Sequence, residues 1–108
     1  MRQAKVIYKG EEAGLITQHD DGTFTYKYNT AWITDNSKPP ISLTIPKTQQ
    51  EYHSNVLFPF FYNMLPEGTN KKIVCKHMRI DENDYFGLLL TTARYDTIGA
   101  VTIKKIEI

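Results

Sequence analysis

TFTYKY, residues 23–28, is the stretch whose reading decides the fold class. Phe24, Tyr26 and Tyr28 alternate with Thr23, Thr25 and Lys27, a period of two that sends three aromatic rings to one face of an extended chain and the polar residues to the other. The pattern predicts a half-buried strand whose aromatic face is the sheet side of the core. Toward the N-terminus, HDDG at residues 19–22 is a turn signal. AGLIT at 13–17 and KVIYK at 5–9 are two further strand-like runs, and Gly10 between them supplies the permissive backbone of a hairpin. The three runs make a predicted antiparallel meander.

Toward the C-terminus, NTAWITDNSKPP (29–40) reads as a connector. Asn29 or Thr30 caps a short turn that anchors Trp32 in the core, and residues 36–40 are excluded from regular structure. ISLTI (41–45) alternates again before Pro46, which predicts a short strand near a sheet edge, and the polar residues 47–54 read as a loop. VLFPFFYNML (56–65) is almost wholly apolar. It predicts a short helix capped by Ser54 or Asn55, with Pro59 in or just after the first turn and Pro66 beyond the end. TNKKIVCKHM (69–78) predicts an amphipathic helix with Ile73, Val74 and His77 on one stripe and Lys71, Lys72 and Lys76 toward water. DEND (81–84) caps a third helix over 85–93, and GAVTIKKI (99–106) is a closing strand that returns to the meander. The expectation is one α+β domain over residues 1–108: a small antiparallel sheet, N-terminal meander plus C-terminal strand, packed with about three short helices.

Composition narrows the function. The chain has 108 residues, 41% of them hydrophobic, with 13 Lys plus Arg against 12 Asp plus Glu, so it is neither a disordered segment nor a polybasic arm. A single cysteine excludes an intramolecular disulfide framework and leaves too few thiols for a cysteine zinc site. No apolar run approaches the roughly 20 residues that span a bilayer, and the first residues lack the apolar core of a secretory signal. A cytoplasmic protein without a membrane partner is expected.

Reactive groups are scattered. His19 falls in a turn, His53 in a loop and His77 on a helix, without metal-ligand spacing, and Cys75 reads as a buried thiol. The glycines are too dispersed to cradle a phosphate. We therefore expect no catalytic residue, no metal site, no cofactor and no enzyme activity from this chain alone. Lys71, Lys72, Lys76 and Arg79 form a basic helix face suited to phosphates, but the near-neutral chain favours a solvated face over direct nucleic-acid binding. The aromatic content says more. Tyr52, Phe58, Phe60, Phe61 and Tyr62 crowd into residues 52–62. Some belong to the core, but a domain this small buries only about two-thirds of its extended-chain surface, so others are expected outside as interface anchors, which favours a binding module.

Taken in order, AGLIT (13–17), TFTYKY (23–28), Trp32, PPISLTIP (39–46), PFFYNMLPEG (59–68), DYFGLLL (84–90) and DTIGAVTI (96–103) resemble the N-terminal subdomain of HipA-type kinases, over about residues 5–104. The S-L-x-I-P, F-F-x-N-x-L-P-E-G and D-x-x-G-A-V pieces are its most specific parts. Tyr62 stands where the family usually has an acidic residue, and Arg94 where it usually has glycine. The second departure bears on the backbone of the 93–98 loop, because Arg tolerates positive φ far less well than Gly.

HipA kinases carry their ATP site and catalytic aspartate beyond this subdomain. The resemblance therefore implies a stand-alone, HipS-like antitoxin whose partner is a HipT- or HipA-like serine/threonine kinase, with a HipB-like helix-turn-helix protein as a further possible member of the complex. Kinases of this class act on aminoacyl-tRNA synthetases. A detached subdomain must offset lost translational and rotational freedom of about 4 to 15 kcal/mol, so the partner-binding surface is expected at Tyr52, Phe58 and Tyr62 as anchors, with His53 and Glu67 as polar contacts. A structural or activating kinase subunit and a nucleic-acid accessory protein are the alternatives.

Overall fold

The computed structural model describes residues 1–92 and 100–106. Strands β1 (Arg2–Tyr8), β2 (Glu11–Gln18) and β3 (Phe24–Tyr28) lead to the one-turn helix α1 (Thr30–Ile33). Strand β4 (Glu51–Ser54), helices α2 (Pro59–Tyr62), α3 (Gly68–Met78) and α4 (Tyr85–Thr92), and strand β5 (Val101–Lys105) follow. The sheet order is β4-β3-β2-β1-β5, with every neighbouring pair antiparallel. This is the expected α+β arrangement, with the meander extended on both sides.

The β1–β2 hairpin closes through Lys9 and Gly10, both at positive φ (47° and 84°), the geometry that matches the twist of flanking strands. Pairing then aligns Ala4, Ile16, Tyr26 and Tyr52 across four strands, one inward-facing row of the sheet. Phe24, Tyr26 and Tyr28 are all buried on this face, as their alternation predicts. The helices cover it: Phe86 of α4 meets Phe24 edge-on at 5.9 Å, and Phe61 of α2 meets Tyr26 at 5.9 Å. Each fully buried ring or leucine on this face contributes roughly 1.5–3 kcal/mol through removal from water. Trp32 is buried against Tyr8 and donates its indole N–H to the Pro39 carbonyl at 2.9 Å.

Several local expectations change. Residues 41–45 do not join the sheet: Ser42 and Ile45 form an isolated bridge around a tight turn, and the edge strand is Glu51–Ser54, inside the segment read as a loop. Pro39, Pro40 and Pro46 leave the flanks of residues 41–45 without three of the N–H groups a ladder would use, whereas 51–54 is proline-free and presents Tyr52 to the core. The apolar run 56–65 forms only one helical turn, with Phe58 as N-cap and Pro59 at N1, the position that tolerates proline. Ser54 does not cap it; its hydroxyl accepts the Val56 N–H at 3.2 Å.

Helix α3 buries Cys75, as expected, and packs Val74 of the predicted stripe against the core, but Ile73 is 59% exposed and His77 faces solvent. Arg79 at φ 57° ends the helix in a left-handed cap. Asp84 caps α4 as expected, its carboxylate accepting the Gly87 N–H at 3.1 Å and its carbonyl the Leu88 N–H at 3.0 Å. The closing strand pairs with β1, Val6 opposite Ile103. Arg94 and most of the D-x-x-G-A-V piece lie outside the described residues.

Candidate partner interface

Helix α2 has a single turn, so its four residues point in four directions. Phe61 turns fully inward and Phe60 packs edge-on against it at 5.2 Å, while Tyr62, about 100° further round, is left 46% exposed. The Tyr62 ring meets Tyr85, the first residue of α4, edge-to-face at 5.5 Å and 81°. Lys71 of α3 sets its ammonium 5.1 Å from the centre of the same Tyr85 ring. Glu67, the N-cap residue of α3, is exposed, and its carbonyl accepts the Lys71 N–H at 3.3 Å. The three helices thus build a surface cluster of two tyrosines and a cation, with Glu67 exposed at the start of α3, a composition suited to a protein partner.

The other expected contact residues are placed differently. Tyr52 and His53 are neighbours on a strand and therefore point to opposite faces of the sheet. Tyr52 lies with the core row, half-buried, and its hydroxyl donates to the Pro46 carbonyl at 2.5 Å. His53 stands on the open face, where it and His19 share the hydroxyl of the nearly buried Thr25 at 2.9 and 2.7 Å, with Glu51 3.4 Å from its other ring nitrogen. Phe58 is 8% exposed and packs edge-on against Phe61, so as an exposed anchor it is corrected. The cause is local: Phe58 immediately precedes the one-turn helix as its N-cap residue, and there its ring packs beside that of Phe61. Tyr62 and Glu67 share the helical side, His53 lies on the opposite face, and Tyr52 and Phe58 support from within.

Sequence reasoning overlooked Tyr85 and Lys71 as companions of Tyr62, because the contact joins three helices far apart in the chain. It also overlooked Leu43. This residue is 94% exposed at the apex of the 41–46 turn, beneath which the buried Tyr28 hydroxyl donates to the Ile45 carbonyl and accepts the Ile41 N–H at 3.1 Å. Burial pushes the Tyr28 phenol up to about 12. On the basic side, Lys72, Lys76 and Arg79 are solvent-exposed. Among the described residues, no three His, Cys, Asp or Glu side chains gather where a metal could bind.

Comparison with known proteins agrees with this architecture. The family model of the HipA N-terminal domain matches residues 4–104. A solved N-terminal domain of HipA toxin superposes with a TM-score of 0.75 at 34% identity, covering 99% of this chain and 94% of that one. An uncharacterized Haemophilus influenzae protein is 38% identical over 97% of this chain and 93% of its own length. A Sinorhizobium fredii protein named as a kinase, Y4dM, is 32% identical over 91% of this chain, yet the match covers only 25% of that longer protein. With matching sequence over nearly its whole length and the same fold, the chain belongs to the HipA N-terminal domain family.

Proposed function

We propose that this protein is a non-catalytic partner of a HipA-type serine/threonine kinase, and that it acts as an antitoxin by binding the kinase and holding it inactive. The observation that carries the reading is the placement of the domain among its relatives. It spans a quarter of a Sinorhizobium protein named as a kinase and nearly the whole of the Haemophilus relative, so the same domain is found both joined to a larger chain and as most of a short one. A domain that packs on the rest of a kinase within one chain already has a complementary surface for binding a kinase supplied separately. The Tyr62–Tyr85–Lys71 cluster and Glu67 form the centre of the proposed interface, with His53 contributing where the partner wraps β4. No described helix is long and apolar enough to cross a membrane, and we place the complex in the cytoplasm, where a HipB-like protein would join it.

The test is co-expression with a HipA-type kinase encoded beside it. We expect a co-purifying complex and loss of kinase autophosphorylation; increased autophosphorylation would instead identify an activating subunit, and absence of any complex would remove the partner reading. Within that complex Tyr62→Ala is expected to raise Kd about tenfold, the effect of truncating a moderately buried interface tyrosine. Because half of the ring faces solvent in the free protein, the melting temperature should barely move. An unchanged Kd would exclude Tyr62 from the interface.

A further inference from the structure

We infer that Leu43 is a preorganised apolar knob that inserts into a concave apolar pocket on the kinase chain; the inference rests on the proposed function and adds a second contact region to it. The turn that carries Leu43 is anchored on both sides. Ile41 and Ile45 are buried at 6% and 2% exposure, while Leu43 between them is 94% exposed. The Tyr28 hydroxyl joins the two flanks by binding the Ile41 N–H and the Ile45 carbonyl, and the Tyr52 hydroxyl holds the Pro46 carbonyl. Within the turn, the Ile45 N–H reaches the Ser42 carbonyl at 3.1 Å, and the Ser42 hydroxyl bonds both the Thr44 hydroxyl (2.9 Å) and the Thr44 N–H (3.2 Å).

A lone exposed leucine is ordinary on a protein surface. A leucine held at the apex of a turn whose base is fixed by the buried Tyr28 hydroxyl and the half-buried Tyr52 hydroxyl is different, because the ordering cost of presenting it has been met during folding. Binding through such a group loses little further entropy. Shape selects the occupant. A second copy of this chain would need to bury roughly 800 Å² per partner for a stable dimer, and two convex apices meeting at one leucine each fall far short. A partner with a complementary concavity is required. In the Sinorhizobium relative, the three-quarters of the chain lying outside this domain are available to provide it; here the separate kinase would do so.

The experiment measures binding of wild type, Leu43→Ala and Leu43→Asp to a HipA-type kinase from the same organism by titration calorimetry, with melting curves and sedimentation of each free protein. Complete burial of a leucine corresponds to roughly a 10- to 100-fold change in affinity. Leu43→Ala is therefore expected to raise Kd by that factor and Leu43→Asp by more, with melting temperatures unchanged. If wild type binds the kinase and both variants bind equally well, the knob is refuted while the kinase partnership stands. If wild type itself fails to bind the kinase, both readings fall. If wild type sediments as a dimer that the substitutions dissolve, Leu43 serves self-association and the inference is overturned.

Discussion

Tyr26 and Tyr28 are two residues apart on one strand, both fully buried, and their hydroxyls should respond to removal with opposite signs. The Tyr28 hydroxyl makes two hydrogen bonds that fasten the Leu43 turn to the sheet. Tyr28→Phe strips a partner from the Ile41 N–H and from the Ile45 carbonyl at once, and each buried backbone group left unpaired costs about 1–3 kcal/mol. With two such groups at the low end of that range, the expected loss is about 2 kcal/mol. The Tyr26 hydroxyl, over Gly14, has no hydrogen-bond partner among the described residues. Burial raises its phenol pKa strongly, the mark of a polar group taken out of water. Tyr26→Phe removes that penalty and keeps the ring contacts with Tyr28 and Phe61; it should be neutral or stabilising by up to about 1 kcal/mol.

Urea denaturation with a common slope reads both differences directly. In a domain of this size the Tyr28 variant should melt roughly 10 °C lower. Equal losses in the two variants would show that the hydroxyl partners are not what separates these residues, and a larger loss for Tyr26→Phe would refute the reasoning outright.

Two further substitutions test the framework around the site. At Gly14 an added Cβ would collide with the Tyr26 hydroxyl and the backbone carbonyl of Lys27, so Gly14→Ala should destabilise by about 3 kcal/mol or prevent folding, measured by urea denaturation; a loss below about 1 kcal/mol would show that β2 and β3 can separate freely. The Arg2 guanidinium beside Asp84 holds that carboxyl below the usual carboxylate range, against a smaller opposing effect of burial. A depressed carboxylate adds stability above the unfolded value near 3.9, and that stability is lost as pH falls through the lower native value. Asp84→Asn should therefore cost about 1 kcal/mol at pH 7, reduced by solvent screening of a partly exposed pair, and the gap to wild type should close as pH drops below about 4; a gap independent of pH would assign the loss to packing.

The meander was readable in the sequence because each of its strands has one buried face and a turn that requires Gly10 or Gly22. Both glycines adopt positive φ, at 84° and 88°. Strand β4 was not readable. At an edge only one of its residues needs to be strongly apolar, so EYHS carries Tyr52 inward and charged or polar groups elsewhere, which suits an edge exposed to solvent and erases the hydrophobic signal. On α3 the buried Cys75 and the half-buried Val74 follow the sequence reading, whereas the apolar Ile73 and His77 are left in water because the helix turns the Cys75 side inward. Over residues 52–62 the density of aromatic residues is plain in the sequence, but the direction each ring takes depends on the local backbone. One residue of strand separates Tyr52 from His53, and Phe58 at the start of the one-turn helix packs into the core beside Phe61.

ISLTIP shows why its alternation misled and what it encodes instead. A period of two reports which side chains share a side, and says nothing about where backbone N–H and carbonyl groups find partners. In a strand those partners come from a neighbouring ladder. Here Pro39, Pro40 and Pro46 block that solution, and the buried Tyr28 hydroxyl replaces the ladder by taking one N–H and one carbonyl from opposite flanks of the turn. The inward positions of the alternation, Ile41 and Ile45, remain core residues; the position between them is displayed at the apex. Folding accounts for the isoleucines and for the tyrosine beneath them, but a leucine at 94% exposure contributes almost no burial to this chain. Its apolar surface becomes energetically useful only when a second molecule covers it.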